Sequence, residues 1–181
     1  VRGDMQNFKK FKPYSNGFSS SIEMISSISK IGMNNISVSA YPELHPESIN
    51  FDKDIEYLKA KIDAGATSAI TQFTFNTEAH LKFRDKLIKK NILIPIFPGI
   101  MPTTNFDNVK RFSKLCGASL PNWLIDCHEK ALNDINERKK IAVSIALDQC
   151  RTLISEDFNH LHFYTMNQSD VIKSICENLN L

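Results

Sequence analysis

Residues 36–75 read ISVSAYPELHPESINFDKDIEYLKAKIDAGATSAITQFTF, and this stretch decides the fold. It opens with a strand pattern at Ile36–Tyr41 and closes with another at Ser68–Phe73. Between them lies a helix pattern over 51–64, whose apolar residues recur at helical spacing: Phe51, Ile55, Leu58 and Ile62. A strand, a helix and a strand in this order predict a βαβ unit with parallel strands.

The rest of the chain continues this alternation. We predict further strands at Leu93–Phe97, closed by Pro98-Gly99, and at His160–Tyr164, with a vestige of an earlier strand at Val1. Capping residues and apolar spacing predict helices over 19–30, 77–90, 105–115, 121–131, 134–155 and 168–179. Repeated strand–helix units predict a parallel sheet.

Such a parallel sheet belongs either to an open, doubly wound fold or to a closed (β/α)8 barrel. The sequence contains neither the G-x-G-x-x-G fingerprint nor a Walker sequence, which favours the barrel. A complete barrel needs eight strands and about 250 residues. We therefore expect an α/β fold of the TIM-barrel family, in which residues 1–181 form one partial barrel, roughly its last half.

The amino-acid composition of the chain limits which kinds of binding partner are expected. The net charge of +2, from 22 basic and 20 acidic residues, predicts no polyanionic partner such as a nucleic acid. No apolar run approaches the length of a membrane span, and no signal peptide opens the chain. The four cysteines show neither a paired motif nor metal-ligand spacing, which is typical of a reducing compartment. We expect a cytoplasmic protein with a small-molecule substrate and no membrane, nucleic-acid or metal partner.

The loop after the first strand is the first candidate binding segment. Residues 41–48 place two prolines, two carboxylates, an imidazole and a phenol just past the carboxyl end of that strand. Parallel α/β folds bind their ligands at this edge. Tyr41 and His45 are therefore candidate contacts, although a single histidine on a loop also fits a structural role.

Further candidates lie on the following helix and strand. Asp54, Tyr57 and Lys61 share one helical face, which is either a binding face or a solvated face with an ordinary ion pair. Gln72 ends the second strand, where its amide suits a planar heterocyclic amide. An amide buried there without a partner costs about 1–3 kcal/mol, so a ligand or a neighbour must satisfy it.

Two more positions have competing interpretations. Asp4 follows Arg2-Gly3 where a barrel strand would deliver a side chain to the pocket, or it simply belongs to a turn. Phe112, in the helix after Asn105, is most simply a core residue.

Several ordered motifs together resemble a known enzyme family. They are Arg2-Gly3-Asp4, Ile36-Ser37-Val38, Ala40-Tyr41-Pro42-Glu43, His45-Pro46-Glu47, Asp63-Ala64-Gly65-Ala66, Ala69-Ile70-Thr71-Gln72-Phe73, Pro98-Gly99-Ile100, Asn105-Phe106, Trp123 and His162-Phe163-Tyr164-Thr165. In this order, over essentially the whole chain, they resemble methylenetetrahydrofolate reductases of the bacterial type.

The resemblance implies a (β/α)8 barrel that binds FAD, accepts hydride from NADH or NADPH and reduces 5,10-methylenetetrahydrofolate to 5-methyltetrahydrofolate. It implies a homo-oligomer in one-carbon and methionine metabolism. By motif, the residues implied to contact FAD are Arg2, Gly3, Asp4, Tyr41, His45, Asp54 and Lys61. Asp4 would be the catalytic carboxylate near the flavin ring and the folate; Gln72 would bond the pterin and Phe112 would stack on either substrate.

Departures from the family pattern leave a second hypothesis open. The family's general-acid glutamate belongs to a first strand for which this chain has no counterpart. Gln168 stands where we expect an arginine for the folate's glutamate tail, and Asn108 where we expect a glutamine. The chain is therefore expected to be incomplete for activity alone, and the alternative is an inert remnant or a flavin-binding module.

Overall fold

The structure is a computed structural model that describes residues 12–131 and 134–180, so Arg2, Gly3 and Asp4 lie outside the described residues. Its helices are α1 (Ser21–Lys30), α2 (Phe51–Asp63), α3 (Thr77–Lys89), α4 (Phe106–Cys116), α5 (Asn122–Glu129), α6 (Ile135–Ser155) and α7 (Ser169–Leu179). Its strands are β1 (Ser37–Ala40), β2 (Ser68–Phe73), β3 (Ile96–Ile100) and β4 (His162–Phe163).

The strands form one sheet in the order β1-β2-β3-β4, and every neighbouring pair is parallel. Each parallel pair is joined through at least one helix, as the repeated strand–helix pattern predicted. An α/β fold with a parallel sheet is therefore confirmed, and the carboxyl ends of all four strands open at one edge.

The predicted helix starts are confirmed by their caps. The side chains of Ser20, Asn50 and Asn105 accept hydrogen bonds from backbone N–H groups in the first turns of α1, α2 and α4. Each bond satisfies a donor that the helix itself leaves without a partner. At the other end of α4, Gly117 has a φ of +74°, the left-handed conformation that ends many helices.

The third strand lies further along the chain than predicted, at Ile96–Ile100 rather than Leu93–Phe97. Leu93 is exposed, whereas Pro98 and Gly99 belong to the strand. Pro98 is tolerated because pairing with β4 begins only at Gly99, so the missing N–H of Pro98 removes no bond to that neighbour. The prediction was wrong because a proline–glycine pair usually marks a turn.

The last strand is shorter than the predicted His160–Tyr164. Only His162 and Phe163 pair as a strand, although Tyr164 N continues the contact by donating to Ile100 O at 2.8 Å. His160 instead packs its ring edge-on to Phe97, with 5.3 Å between centroids.

The buried side chains form three clusters around the sheet. The first joins β1 and β2 to α1, α2 and α3, and the second joins β3 to α6 and α7. The third lies beyond the carboxyl ends of β2 and β3 against α4 and α5, and contains Phe73, Phe75, Met101, Phe106, Val109 and Leu124. Cys150 is fully buried in the second cluster. Across the described helices, none combines the length and apolar character needed to cross a membrane.

Candidate functional site

The carboxyl ends of β1 and β2 bring two predicted site residues into one cleft. Tyr41 follows β1 and Gln72 is the penultimate residue of β2, and both line a narrow cleft that has no room for a water molecule. The other lining residues are Pro42, Glu43, Phe73, Cys116, Gly117 and Ala118. We call this the mouth cleft. It lies at the strand edge where a parallel sheet places its ligands.

The loop after β1 is fixed against the end of α4. Both carboxylate oxygens of Glu43 accept bonds from Ser119, one from its N–H at 3.0 Å and one from its hydroxyl. Gly117 lets the loop approach closely, because a Cβ at this position would lie 3.0 Å from Leu44 O and 3.1 Å from Pro46 Cγ. The loop is therefore a braced wall of the mouth cleft.

Tyr41, His45 and Asp54 form a connected group. The Tyr41 and His45 rings meet edge to face, with 4.4 Å between centroids. His45 N donates to Asp54 Oδ2 at 2.8 Å, and His45 Nδ1 accepts from Glu47 N at 3.0 Å. A carboxylate in the first turn of α2 thus anchors the loop that carries the phenol and the imidazole.

Removing this anchor is expected to destabilise the fold. We predict that Asp54→Ala lowers the free energy of unfolding by about 1–2 kcal/mol, because it leaves a backbone N–H without its charged acceptor. Asp52→Ala is the matched control. Asp52 lies in the same helical turn, and its exposed ion pair with Lys90 should contribute less than about 1 kcal/mol. Urea unfolding measures both, and equal losses in the two variants would show that the anchor is unimportant.

Lys61 is a buried cation, not part of a solvated face. Lys61 is only 6% exposed. Its Nζ donates to Ser39 O at 2.8 Å and to Ser39 Oγ at 3.3 Å. Desolvation lowers the pKa of Lys61 to about 8, and the charge of Asp54 opposes this shift. Within residues 12–131 and 134–180, no carboxylate lies within ion-pair distance of it.

Lys61 also lies close to an aromatic ring. The Tyr57 ring lies 5.0 Å from the ammonium, and the Tyr57 hydroxyl bonds Ser21 Oγ at 3.0 Å. A buried charge is costly unless it is paired. At neutral pH an ammonium with a pKa of about 8 is mostly protonated, so a phosphate or carboxylate placed beside it would be stabilised.

Gln72 is half-buried at the tip of β2. Its Oε1 accepts a bond from Phe73 N at 3.1 Å. In the described part of the chain, its Nε2 donates to no partner. The neighbouring backbone thus satisfies the carbonyl end of the amide, and Nε2 remains available as a donor on a residue that lines the mouth cleft.

Phe112 does not line the mouth cleft. It is half-buried on α4, packed on the third core cluster, with the Arg111 guanidinium 5.0 Å from its ring centroid. Cys116, one turn later on the same helix, lines the cleft instead. The sequence left two interpretations of Phe112, a core residue or a residue that stacks on a substrate. In the structure the ring contacts the third core cluster, and part of the side chain remains exposed.

Sequence reasoning missed a network beneath Gln72. Gly99 N donates to Thr71 Oγ1 at 2.8 Å, and the Tyr164 hydroxyl donates to Thr71 O at 2.9 Å. The one available signal was Pro98-Gly99, because a glycine inside a strand often marks a close backbone approach.

A second, wider cleft of about 600 Å³ lies beside the first turn of α3. It is lined by Phe75, Asn76, Thr77, Glu78, Ser119, Leu120, Pro121 and Trp123. Ser119 lines this cleft and also bonds Glu43, which lines the mouth cleft. No group of three or more metal-ligating side chains occurs among the residues that the structure describes.

Comparison with known proteins places these features in a family. Residues 1–180 match the family model described as methylenetetrahydrofolate reductase. The chain is 44% identical over 181 residues to the 5,10-methylenetetrahydrofolate reductase of Buchnera aphidicola from Schizaphis graminum, covering all of this chain and 60% of the relative. It is 48% identical over 160 residues to that of Buchnera aphidicola from Acyrthosiphon pisum, covering 88% of this chain and 55% of the relative.

More distant proteins are also similar to this chain. The 5,10-methylenetetrahydrofolate reductase of Escherichia coli is 36% identical over 159 residues, covering 88% of this chain and 54% of the relative. A solved structure of a Clostridium thermocellum protein, described as binding two copies of 5-methyl-5,6,7,8-tetrahydrofolic acid, is 16% identical with a TM-score of 0.56. It covers 91% of this chain and 59% of that one, and it supports the fold alone.

These matches show which family the chain belongs to and how much of its relatives' length it covers. The chain spans between about half and three fifths of the length of these curated reductases. The motifs that line the mouth cleft fall inside the matched residues. The chain belongs to the methylenetetrahydrofolate reductase family.

Proposed function

We propose that this chain forms part of a flavin-dependent reductase that converts 5,10-methylenetetrahydrofolate to 5-methyltetrahydrofolate with NADH or NADPH as hydride donor. Membership of the family supports the reaction. The observation that carries the site is the buried Lys61 ammonium bonded to β1, together with the braced polar loop that follows this strand and a glutamine with a spare donor at the tip of β2.

The residues present fit FAD. Lys61 would hold a phosphate, since it is a buried cation without a carboxylate partner among the described residues. Tyr41 and His45 would line the cofactor from the braced loop, and Asp54 would hold that loop in place. Bound FAD would supply reversible acceptance and donation of hydride.

The remaining residues would handle the substrate. Gln72 would donate from Nε2 to an acceptor on the pterin, and Phe112 would offer its exposed part for stacking. By resemblance, Arg2, Gly3 and Asp4 would contact the cofactor, and the carboxylate of Asp4 would act beside the reacting ring. A charge placed there would disfavour the anionic form of the reduced cofactor.

The sheet is proposed to be part of a (β/α)8 barrel. Among the described strands, β1 and β4 each pair on one side only, so strands from elsewhere would complete the closure. In the chain by itself these two edges would favour association between copies, so for it we propose a homo-oligomer. We propose the cytoplasm as its compartment.

The test is to express the full reading frame that contains this chain and to assay the purified protein. We expect flavin absorbance, NAD(P)H-dependent reduction of menadione and NAD(P)H-dependent formation of 5-methyltetrahydrofolate. A folded flavoprotein that reduces menadione without reducing the folate would support the flavin-binding module instead. A folded protein without flavin would contradict both.

A further inference from the structure

The tip of β2 contains an irregularity in the segment that includes Gln72. Ile70 pairs with Phe97 and Phe73 pairs with Gly99, so three steps along β2 match two steps along β3. The extra residue is a β-bulge in the strand segment that includes Gln72. Bulges re-aim a side chain and occur next to binding sites.

Side chains, in addition to the ladder, hold this bulge. Thr71 is fully buried, and its hydroxyl oxygen accepts from Gly99 N at 2.8 Å. Its carbonyl oxygen accepts from the Tyr164 hydroxyl at 2.9 Å. The Tyr164 ring also packs edge-on to Phe73, with 6.0 Å between centroids. The two residues that flank Gln72 are therefore both fixed by Tyr164.

The packing leaves little room for another arrangement. A Cβ at Gly99 would lie 2.3 Å from Thr71 O and 2.7 Å from Tyr164 Cε2. Burial raises the pKa of Tyr164 to about 12, with smaller contributions from Tyr41 and Cys116, so its hydroxyl remains a donor throughout the working pH range. The Thr71 carbonyl thus has a permanent partner from a residue just beyond β4.

We infer that Tyr164 is a positioning residue for the folate: its hydroxyl holds the bulge at Thr71 and thereby aims the Gln72 amide into the mouth cleft. This inference rests on the proposed function for its ligand but not for its geometry. Tyr164 acts through Gln72, so its effect should disappear when Gln72 has no amide to position.

The kinetic test is a double-mutant cycle in the protein expressed from the full reading frame. We expect Tyr164→Phe to raise KM for methylenetetrahydrofolate by roughly 5- to 50-fold, the range for loss of one buried bond, while kcat and menadione reduction change less than about threefold. In a Gln72→Ala background, Tyr164→Phe should change KM by less than about twofold. Tyr14→Phe, at an exposed tyrosine, is the matched control and should leave KM unchanged.

A second measurement is independent of activity. Hydrogen exchange should show that Tyr164→Phe speeds exchange of the Phe73 and Gly99 amides at least about tenfold, because the bulge opens locally. The Ile55 amide in the first core cluster should not change. Independent, additive effects of the two substitutions on KM would overturn the inference, as would unchanged exchange at Phe73 and Gly99. Wild-type protein without folate turnover would refute the proposed function alone, and exchange would still decide the positioning role.

Discussion

Lys61→Met is expected to make the folded protein more stable and less able to bind its cofactor. Lys61 is 6% exposed, and desolvation lowers its pKa from 10.5 to about 8. That shift corresponds to about 3 kcal/mol of destabilisation at neutral pH. Methionine removes this penalty and loses the bond to Ser39 O, which contributes about 1 kcal/mol, so we expect a net gain of about 2 kcal/mol.

The pH dependence of stability tests independently whether the buried charge of Lys61 destabilises the fold. Because the folded pKa of Lys61 lies below its unfolded value, the unfolded chain binds more protons between pH 8 and 10.5. The stability of the wild type should therefore rise as the pH increases through this window, whereas Lys61→Met should lack that rise. Urea unfolding at a series of pH values measures both curves.

The functional half of this prediction concerns the proposed phosphate contact. Losing a charged hydrogen bond should weaken FAD binding by roughly 10- to 100-fold. Lys59→Met is the control, because Lys59 lies on the same helix in an exposed ion pair with Asp63 at 2.7 Å. A Lys61→Met protein that is less stable than the wild type at pH 7, or that retains FAD as tightly, would contradict the assignment.

The second large effect is expected at Gly99. Its φ is not left-handed, so the requirement for glycine is one of space rather than of backbone conformation. A methyl group there would lie 2.3 Å from the carbonyl oxygen of Thr71, a backbone atom that cannot rotate away. We expect Gly99→Ala to lower the free energy of unfolding by about 3 kcal/mol.

Gly17→Ala controls for the general effect of removing a glycine. A Cβ at Gly17 would meet nothing closer than 3.6 Å, so stability should change by less than about 1 kcal/mol. Thermal and urea unfolding of the two variants distinguish the effects. If Gly99→Ala were as stable as Gly17→Ala, β2 and β3 would not approach each other as described.

The fold was predictable wherever local signals and burial agreed. The helix over 51–64 was predicted from four apolar residues at helical spacing, and α2 (Phe51–Asp63) matches it, with Asn50 as its cap. The third strand was misplaced because Pro98 and Gly99 are turn residues by local preference. Their tolerance depends on where β4 begins to pair, which is a long-range property that no local pattern contains.

The cleft was predictable only in part: Tyr41 and Gln72 line it and Phe112 does not, and the connections between residues were not predictable. The loop after β1 was identified from its composition and its place after a strand, and it lies at the mouth cleft. The brace between Glu43 and Ser119 joins residues 76 positions apart, and no spacing rule links them. The role of Tyr164 was equally invisible, because it depends on an irregular register between two other strands.

The most direct test of the account is the affinity of the flavin-loaded protein for 5-methyltetrahydrofolate, measured by calorimetry for the wild type and for Gln72→Leu. Leucine keeps the approximate size of Gln72 and removes the Nε2 donor, which has no partner among the described residues. We expect Kd to rise roughly 10-fold or more in Gln72→Leu, with flavin content unchanged. Equal affinities in the two proteins would show that the mouth cleft does not bind the folate through Gln72.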